Sequence, residues 1–221
     1  MARVGVRRAL LYKPPVVSAN WWEVTGKTCV VAYQPKGAAD LAASYVNLAN
    51  PGVNNAAPGT APTFDAVTGW EFVAASATYL STGVVPANGY SMIVRFSNGP
   101  TTGLYWLCGV DSASNARFYL SPRFNDNCIY GSGGLSSVAP HITTGVLAVA
   151  GQYGYRNGVL NTGAIVAWSI AQANPIFIGA VCDIAGTPAY HISAKVQALA
   201  IYSDTLSGPE VAALTTIMAA L

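Results

Sequence analysis

The acidic residues are the side chains of this 221-residue chain most able to do chemistry. General acid and base catalysis at a glycosidic bond needs two carboxylates that flank it, and same-face side chains of a β-strand are two positions apart. None of the nine acidic residues lies within five positions of another: Glu23, Asp40, Asp65, Glu71, Asp111, Asp126, Asp183, Asp204 and Glu210. The sequence therefore predicts that the protein is not an enzyme, and leaves open only a carboxylate pair assembled from separate strands.

The other reactive side chains also lack a catalytic or zinc-binding spacing. The four cysteines are Cys29, Cys108, Cys128 and Cys182, and no two of them form a C-x-x-C pair. Each one lies among apolar neighbours, which favours buried free thiols. Only His141 and His191 could join them at a zinc ion, so we expect no zinc site and predict structural or surface roles for both histidines. No G-x-S-x-G elbow and no phosphate-binding loop occurs.

The chain has few charges for its size. Lys and Arg number 11 and Asp and Glu number 9, so 9% of the residues are charged, against about 25% in an ordinary soluble domain. A net charge of +2 gives no global reason to expect nucleic acid. No apolar run approaches the roughly 18 residues that span a bilayer. Wide neutral tracts of surface are therefore expected, which fits a binding face or a face covered by other subunits. They fit equally a stable extracellular-type β domain whose surface is Ser, Thr, Asn and Gly rather than Lys and Glu.

Short β-strands are predicted for most of the chain. Gly89–Ser97 alternates, with Met92, Val94 and Phe96 on one side and Ile93 on the other. Asn157-Gly158 is typical of a type I′ hairpin turn. We also predict that the segments 69–73 and 78–84 pair with each other. About ten or eleven short strands without intervening helices indicate an antiparallel two-sheet sandwich.

The two ends of the chain differ from this pattern. Ser207 and Glu210 fit a capping box that begins a short C-terminal helix, and its apolar stripe is Val211, Leu214, Ile217, Met218 and Leu221. Residues 1–27 are predicted to form an extended basic arm, followed by the sandwich domain over 28–221. The arm carries four of the eleven basic residues, Arg3, Arg7, Arg8 and Lys13, and Pro14-Pro15 disfavours a helix there.

Several segments together resemble the laminin G-like domains of the concanavalin A-like lectin and glucanase superfamily. They are GWEFV at 69–73 with YLSTG at 79–83, YSMIVRFS at 90–97, GQYGYRNGVLNTG at 151–163, IFIGA at 176–180, and KVQALAIYSDTLSGPEVAAL at 195–214. The resemblance covers about Cys29 to Leu221 and implies an all-β jelly-roll sandwich. It also implies a range of functions: carbohydrate-binding modules, adhesion domains, glycosidases and accessory proteins of bacteriophage particles.

A lectin site would need an aromatic ring for stacking and a few convergent polar groups, often beside calcium. The candidate glycan contacts are Trp22, Asn125, Asp126, Asn127, Tyr153 and Tyr155. The candidate calcium ligands are Asp111, Asp126 and Asp183, of which the first and last fall at predicted strand ends. Because these acids are isolated in sequence, we expect no tightly bound metal and no other cofactor.

The preferred hypothesis is a non-enzymatic structural or attachment subunit of a larger assembly, of the bacteriophage virion type. A neutral surface, a basic arm and the lack of a secretory signal peptide favour it, since the arm could dock on a neighbouring subunit. The expected partners are further copies of the chain or another structural protein, in a virion or other extracellular assembly. The alternatives are a carbohydrate-binding lectin module and, less favoured, a glycoside hydrolase.

Overall fold

The structure is a computed structural model that describes residues 20–24, 26–113 and 115–221. In the first half of the described chain the elements are β1 (Cys29–Tyr33), α1 (Leu41–Ser44), β2 (Ala57–Thr60), β3 (Thr63–Asp65), β4 (Gly69–Phe72), a 3₁₀ turn (Ala74–Ser76), β5 (Tyr79–Ser81), β6 (Ser91–Ser97), β7 (Leu104–Tyr105) and β8 (Cys108–Asp111). The second half contains β9 (Arg117–Phe124), β10 (Asn127–Val138), β11 (Gly145–Ala150), β12 (Tyr153–Arg156), β13 (Val159–Leu160), β14 (Phe177–Ile178), β15 (Val181–Cys182), β16 (Pro188–Ala189), β17 (Ala194–Tyr202) and α2 (Gly208–Ala220).

These strands form two sheets packed face to face, so the all-β sandwich predicted from the sequence is confirmed. Sheet A has the order β13-β12-β11-β6-β17-β4-β3, with β1 also paired to β17. Sheet B has the order β10-β9-β8-β14-β5-β2, with β7, β15 and β16 attached beside it. The strand pairs are antiparallel except for the contact between β15 and β8. None of the described helices is long and apolar enough to cross a membrane.

Alternation along β6 explains why sheet A is buried on both faces. Met92, Val94 and Phe96 enter the core between the sheets, as predicted. Ile93 points to the opposite face, where it packs with Val211 and other side chains of α2. Sheet A is therefore covered by the second sheet on one side and by a helix on the other.

The C-terminal helix begins with the predicted capping box between Ser207 and Glu210. Its residues Val211, Leu214 and Met218 are buried against sheet A, but Ile217 is 39% exposed. The prediction of Ile217 in the apolar stripe was wrong, because Thr215 takes the buried position beside Leu214.

The segment before β1 packs on the same outer face of sheet A. Trp21 is buried there, and the backbone oxygen of Trp22 accepts a hydrogen bond of 2.8 Å from the Tyr202 hydroxyl. Residues 20–24 are therefore part of the packed domain, whereas the predicted arm began at residue 1 and ended at residue 27. The arm residues Arg3, Arg7, Arg8 and Lys13 lie outside the described part of the chain.

The local turn predictions and the long-range pairing predictions had different outcomes. Asn157 and Gly158 both have positive φ, 50° and 79°, and join β12 to β13 as predicted. In contrast, β4 and β5 do not pair with each other: β4 lies in sheet A and β5 in sheet B. The prediction of a β4–β5 pair was wrong because the chain crosses between the sheets at the 3₁₀ turn.

The four cysteines have free thiols, as the apolar context of each one predicted. Burial raises the pKa of all four thiols, to about 12 for Cys29 and to about 11 for Cys182. A thiol with so high a pKa is a poor nucleophile at neutral pH. These side chains therefore serve the packing of the sandwich.

Candidate functional site

The candidate site is the outer face of sheet B, which neither of the two described helices covers. Strand β9 builds it by alternation: Phe118 and Leu120 point into the core between the sheets, so Arg117 and Tyr119 point outward. Tyr119 belongs to a separate apolar cluster on this face, together with Trp106, Ile129 and Val181. The outer face thus has an aromatic floor.

Tyr119 lies flat on the sheet because its neighbours on both sides are glycines. In the strand register, Gly109 of β8 and Gly131 of β10 stand opposite Tyr119. A Cβ atom on Gly131 would lie 3.1 Å from each of three ring carbons of Tyr119. A Cβ atom on Gly109 would lie 2.3 Å from the Tyr119 Cβ, so the packing of Tyr119 requires glycine at both positions.

Trp106 lies at the centre of the aromatic cluster. Its ring centroid is 5.8 Å from that of Tyr119 and 5.6 Å from that of Phe124, in edge-to-face arrangements. Tyr190 covers it at a centroid distance of 4.5 Å with an interplanar angle of 39°. Trp106 is only 6% exposed, whereas Tyr190 is 57% exposed. One face of the Tyr190 ring therefore packs on protein and leaves an aromatic surface open to solvent.

The backbone at Tyr190 is held in an unusual conformation. Its φ is 52°, in the left-handed region that bulky side chains rarely adopt. The Trp106 amide donates a 3.2 Å hydrogen bond to the Tyr190 carbonyl, which ties the strained residue to the start of β8. Strain of this kind costs about 1–3 kcal/mol and is concentrated at functional sites. The exposed ring and the unusual backbone together make Tyr190 a candidate functional residue.

Polar groups lie beside the aromatic floor. Arg117 Nε is 3.2 Å from Asp111 Oδ1, and both side chains are about one quarter exposed, at 24% and 28%. Burial, and after it the negative charge of Asp111, raises the pKa of Tyr119 to about 12, so its hydroxyl keeps its proton at neutral pH. Trp106 Nε1 is buried without a hydrogen-bond partner of good geometry. It nevertheless lies near the Tyr119 hydroxyl, and its N–H group lowers the pKa of Tyr119 slightly against the larger effect of burial.

The candidate glycan contacts from the sequence do not come together at one place. Trp22 and Tyr155 pack in the cluster on the outer face of sheet A, and Tyr153 lies two positions before Tyr155 on the same strand. The other three candidates, Asn125, Asp126 and Asn127, lie at the turn between β9 and β10 on sheet B. There the Asp126 carboxylate pairs with Arg123 at 2.8 Å. Because the two groups lie on different sheets, the six residues do not form one site.

The three candidate calcium ligands are also separated. Asp111 is the last residue of β8, and Asp183 follows the neighbouring strand β15. Asp126 lies just after the C-terminal end of β9, whereas Asp111 pairs with Arg117 at the N-terminal end of β9. Asp183 accepts hydrogen bonds from the backbone of Ala185 and Thr187 and from the Thr187 hydroxyl. Within the described residues, no group of three or more His, Cys, Asp or Glu side chains could hold a metal. The expectation that no metal is tightly bound stays a prediction.

The residues of the aromatic cluster were not singled out by the sequence. Trp106, Tyr119 and Tyr190 occur in three separate segments, and each reads as ordinary strand packing by itself. The glycines opposite Tyr119 were the available signal, because a flat aromatic ring needs neighbours without side chains. That signal depends on the strand register, which local patterns do not give.

Comparison with known proteins gives the fold and no family. No protein-family profile and no curated protein sequence matches the chain. Among solved structures, domain 4 of AbnA, a GH43 extracellular arabinanase from Geobacillus stearothermophilus, is similar. Its structure is a complex with arabinotriose. The identity is 17% and the TM-score 0.58, over 86% of this chain and 98% of that one.

The sialidase of Trypanosoma rangeli is similar as well. Its complex with sialic acid is 14% identical with a TM-score of 0.55, over 85% of this chain. The similar part is 32% of the sialidase chain, so this chain spans about a third of that enzyme. At such identities the likeness establishes the β-sandwich fold alone. The bacteriophage association of the sequence resemblance receives no support from these structures.

Proposed function

We propose that the protein is a non-catalytic carbohydrate-binding domain whose glycan site is the outer face of sheet B. The observation that carries the proposal is the exposed Tyr190 ring, which packs at a tilted angle on the buried Trp106 on a face that no described helix covers. Sugar rings present a flat face of C–H groups that packs on an aromatic ring, while their hydroxyls need nearby polar partners. Tyr190 supplies the ring near the start of β8, and Asp111 and Arg117 supply an acceptor and donors at its other end, for a glycan long enough to reach both.

The two solved structures named above support this choice over an assembly subunit. The arabinanase domain is in complex with arabinotriose and the sialidase is in complex with sialic acid. The hypothesis of a virion subunit depends on a basic arm that lies outside the described residues, and it stays a prediction. Arabinotriose and sialic acid provide the first neutral and acidic probes for this chain.

The absence of catalysis is part of the proposal and rests on the environment of Asp183. This carboxylate follows β15, which pairs with β8, the strand that ends at Asp111. Hydrogen bonds from Thr187 and Ala185 lower the pKa of Asp183. A general acid requires the opposite shift, towards a raised pKa. Asp183 is therefore a structural group of its hairpin.

Glycan-array binding of the purified full-length chain tests the proposal. We expect retention of a defined group of glycans, and binding about tenfold weaker in Tyr190→Ala, equivalent to about 1.4 kcal/mol for one stacked ring. The matched control is Tyr153→Ala, which removes a tyrosine that is 41% exposed on the other sheet. The proposal is wrong if the array stays blank, or if both variants bind as well as the unaltered chain.

A further inference from the structure

A second recess lies at the end of the sandwich where β8 turns into β9. It is an open cavity of about 460 Å³ between the connection from β5 to β6 and the segment 168–172. Tyr190 and Trp106 lie near the other end of β8, so this cavity is separate from the aromatic face. Its volume falls within the range of small-ligand sites.

The cavity wall combines one aromatic ring with amide and hydroxyl groups. Trp168 is half-buried and Asn88 and Ser169 are exposed at the lining, with apolar contact area from Val85 and Ile170. One end of the Gln172 amide accepts a hydrogen bond from the Ser112 hydroxyl. The other end, Nε2, is buried without a partner in the wall. A ligand in the open cavity does not reach this buried atom, so the exposed Asn88 and Ser169 side chains are the polar groups available to it.

No lining residue of the cavity carries a charge: Val85, Pro86, Ala87, Asn88, Trp168, Ser169, Ile170, Ala171 and Gln172. A charged ligand would lose hydration there without gaining a counter-charge, which is unfavourable. An entirely apolar ligand would leave the amides unpaired. The lining therefore fits a ligand that is uncharged and carries both hydroxyls and C–H faces.

The wall that carries Trp168 is fixed by hydrogen bonds on both sides. Trp168 Nε1 donates to Ser132 Oγ at 3.2 Å, and the ring packs beside Phe118 at the edge of the core. The Ser169 amide donates to the Asn115 carbonyl at 3.2 Å, and the Gly134 amide to the Val166 carbonyl at 2.9 Å. A recess held in this way needs little ordering when a ligand binds.

We infer that this cavity binds a neutral saccharide unit through Trp168 and Asn88. The inference is independent of the glycan site at Tyr190 and adds a second point of attachment on the same domain. Two weak sites on one rigid domain would strengthen binding to a long or branched glycan by raising the effective concentration at the second site.

Nuclear magnetic resonance of the ¹⁵N-labelled full-length chain tests the inference, because each tryptophan indole gives its own N–H signal. The probes are glucose, galactose, arabinose, N-acetylglucosamine and arabinotriose, with N-acetylneuraminic acid as the acidic comparison. We expect at least one neutral probe to move the Trp168 indole signal and to saturate. Asn88→Ala should weaken that affinity about fivefold, for one lost hydrogen bond.

Asn50→Ala is the matched control, since Asn50 is an exposed asparagine outside the lining, and it should leave the affinity unchanged. The inference is overturned if no neutral probe moves Trp168, if Asn88→Ala binds like Asn50→Ala, or if the acidic probe binds equally well. A probe that moves Trp106 but not Trp168 also overturns it, while it supports the site at Tyr190.

Discussion

Tyr190 combines two features that rarely occur together in a residue that serves only packing. Its ring is largely open to solvent, and its backbone has a positive φ that a tyrosine adopts at a cost. The contact with Trp106 and the hydrogen bond from the Trp106 amide hold this conformation in place. A residue that served only to cover Trp106 would need neither the strain nor the exposure.

Asp183 supports Tyr190 through the hairpin of β15 and β16, which ends just before Tyr190. Hydrogen bonds to its carboxylate, first from the Thr187 amide, lower its pKa, so the ionised form is the one that holds the turn. The resulting stability is present above the ordinary carboxyl pKa of about 3.9 and is lost as the pH falls through the lowered value. We therefore expect glycan binding to weaken at acid pH, and Asp183→Asn to reduce this acid sensitivity.

The measurement compares urea unfolding and glycan binding at about pH 7 and about pH 3. Asp65→Asn is the control, because backbone hydrogen bonds from Thr68 and Val67 lower the pKa of Asp65 in the same way, in a turn of sheet A. Asp65→Asn should change the pH dependence of unfolding but not that of glycan binding. An equal effect of both variants on glycan binding would contradict the role of Asp183 at the site.

At the level of elements, α2 decides which face of the molecule remains open. It buries Val211, Leu214 and Met218 against the outer face of sheet A, and Arg95 donates to the Met218 carbonyl at the end of the helix. This face is therefore filled by the chain itself. The corresponding face of sheet B keeps its exposed tyrosine because no described helix lies on it.

Truncation of the α2 side chains tests this packing. Leu214→Ala should lower the free energy of unfolding by about 2–5 kcal/mol, since Leu214 is buried and leaves a cavity. Ile217→Ala should change it by less than about 1 kcal/mol, because Ile217 is 39% exposed on the same helix. Equal losses in urea denaturation would show that the helix packs by the stripe predicted from the sequence.

Local signals in the sequence predicted some elements and could not predict others. The alternation of β6, the turn at Asn157-Gly158 and the cap at Ser207 each depend on residues within one short segment, and all three are present. The placement of β4 and β5 in different sheets depends on which strands pair across the whole chain. The two-residue strands β7, β13, β14, β15 and β16 are too short to show a period.

At the level of the whole molecule, the sequence predicted the sandwich but not the face that is proposed to bind glycans. Trp106 and Tyr190 are far apart in sequence and meet only after β8, β15 and β16 assemble. The candidates chosen from the sequence, such as Trp22 and Tyr155, are aromatic residues that the fold uses to cover sheet A. Composition identifies such residues, but only the register of the strands distinguishes those that stay exposed.

The central claim is that glycans bind the outer face of sheet B, and the indole signals of the five tryptophans test it directly. The measurement is a titration of the ¹⁵N-labelled full-length chain with the oligosaccharide that the glycan array selects. Trp106 lies under Tyr190, whereas Trp21 and Trp22 lie on the outer face of sheet A and Trp70 lies in the core. We predict a saturable shift of the Trp106 signal, with Trp21, Trp22 and Trp70 unchanged. A titration that moves Trp21 or Trp22 and leaves Trp106 in place would contradict the claim.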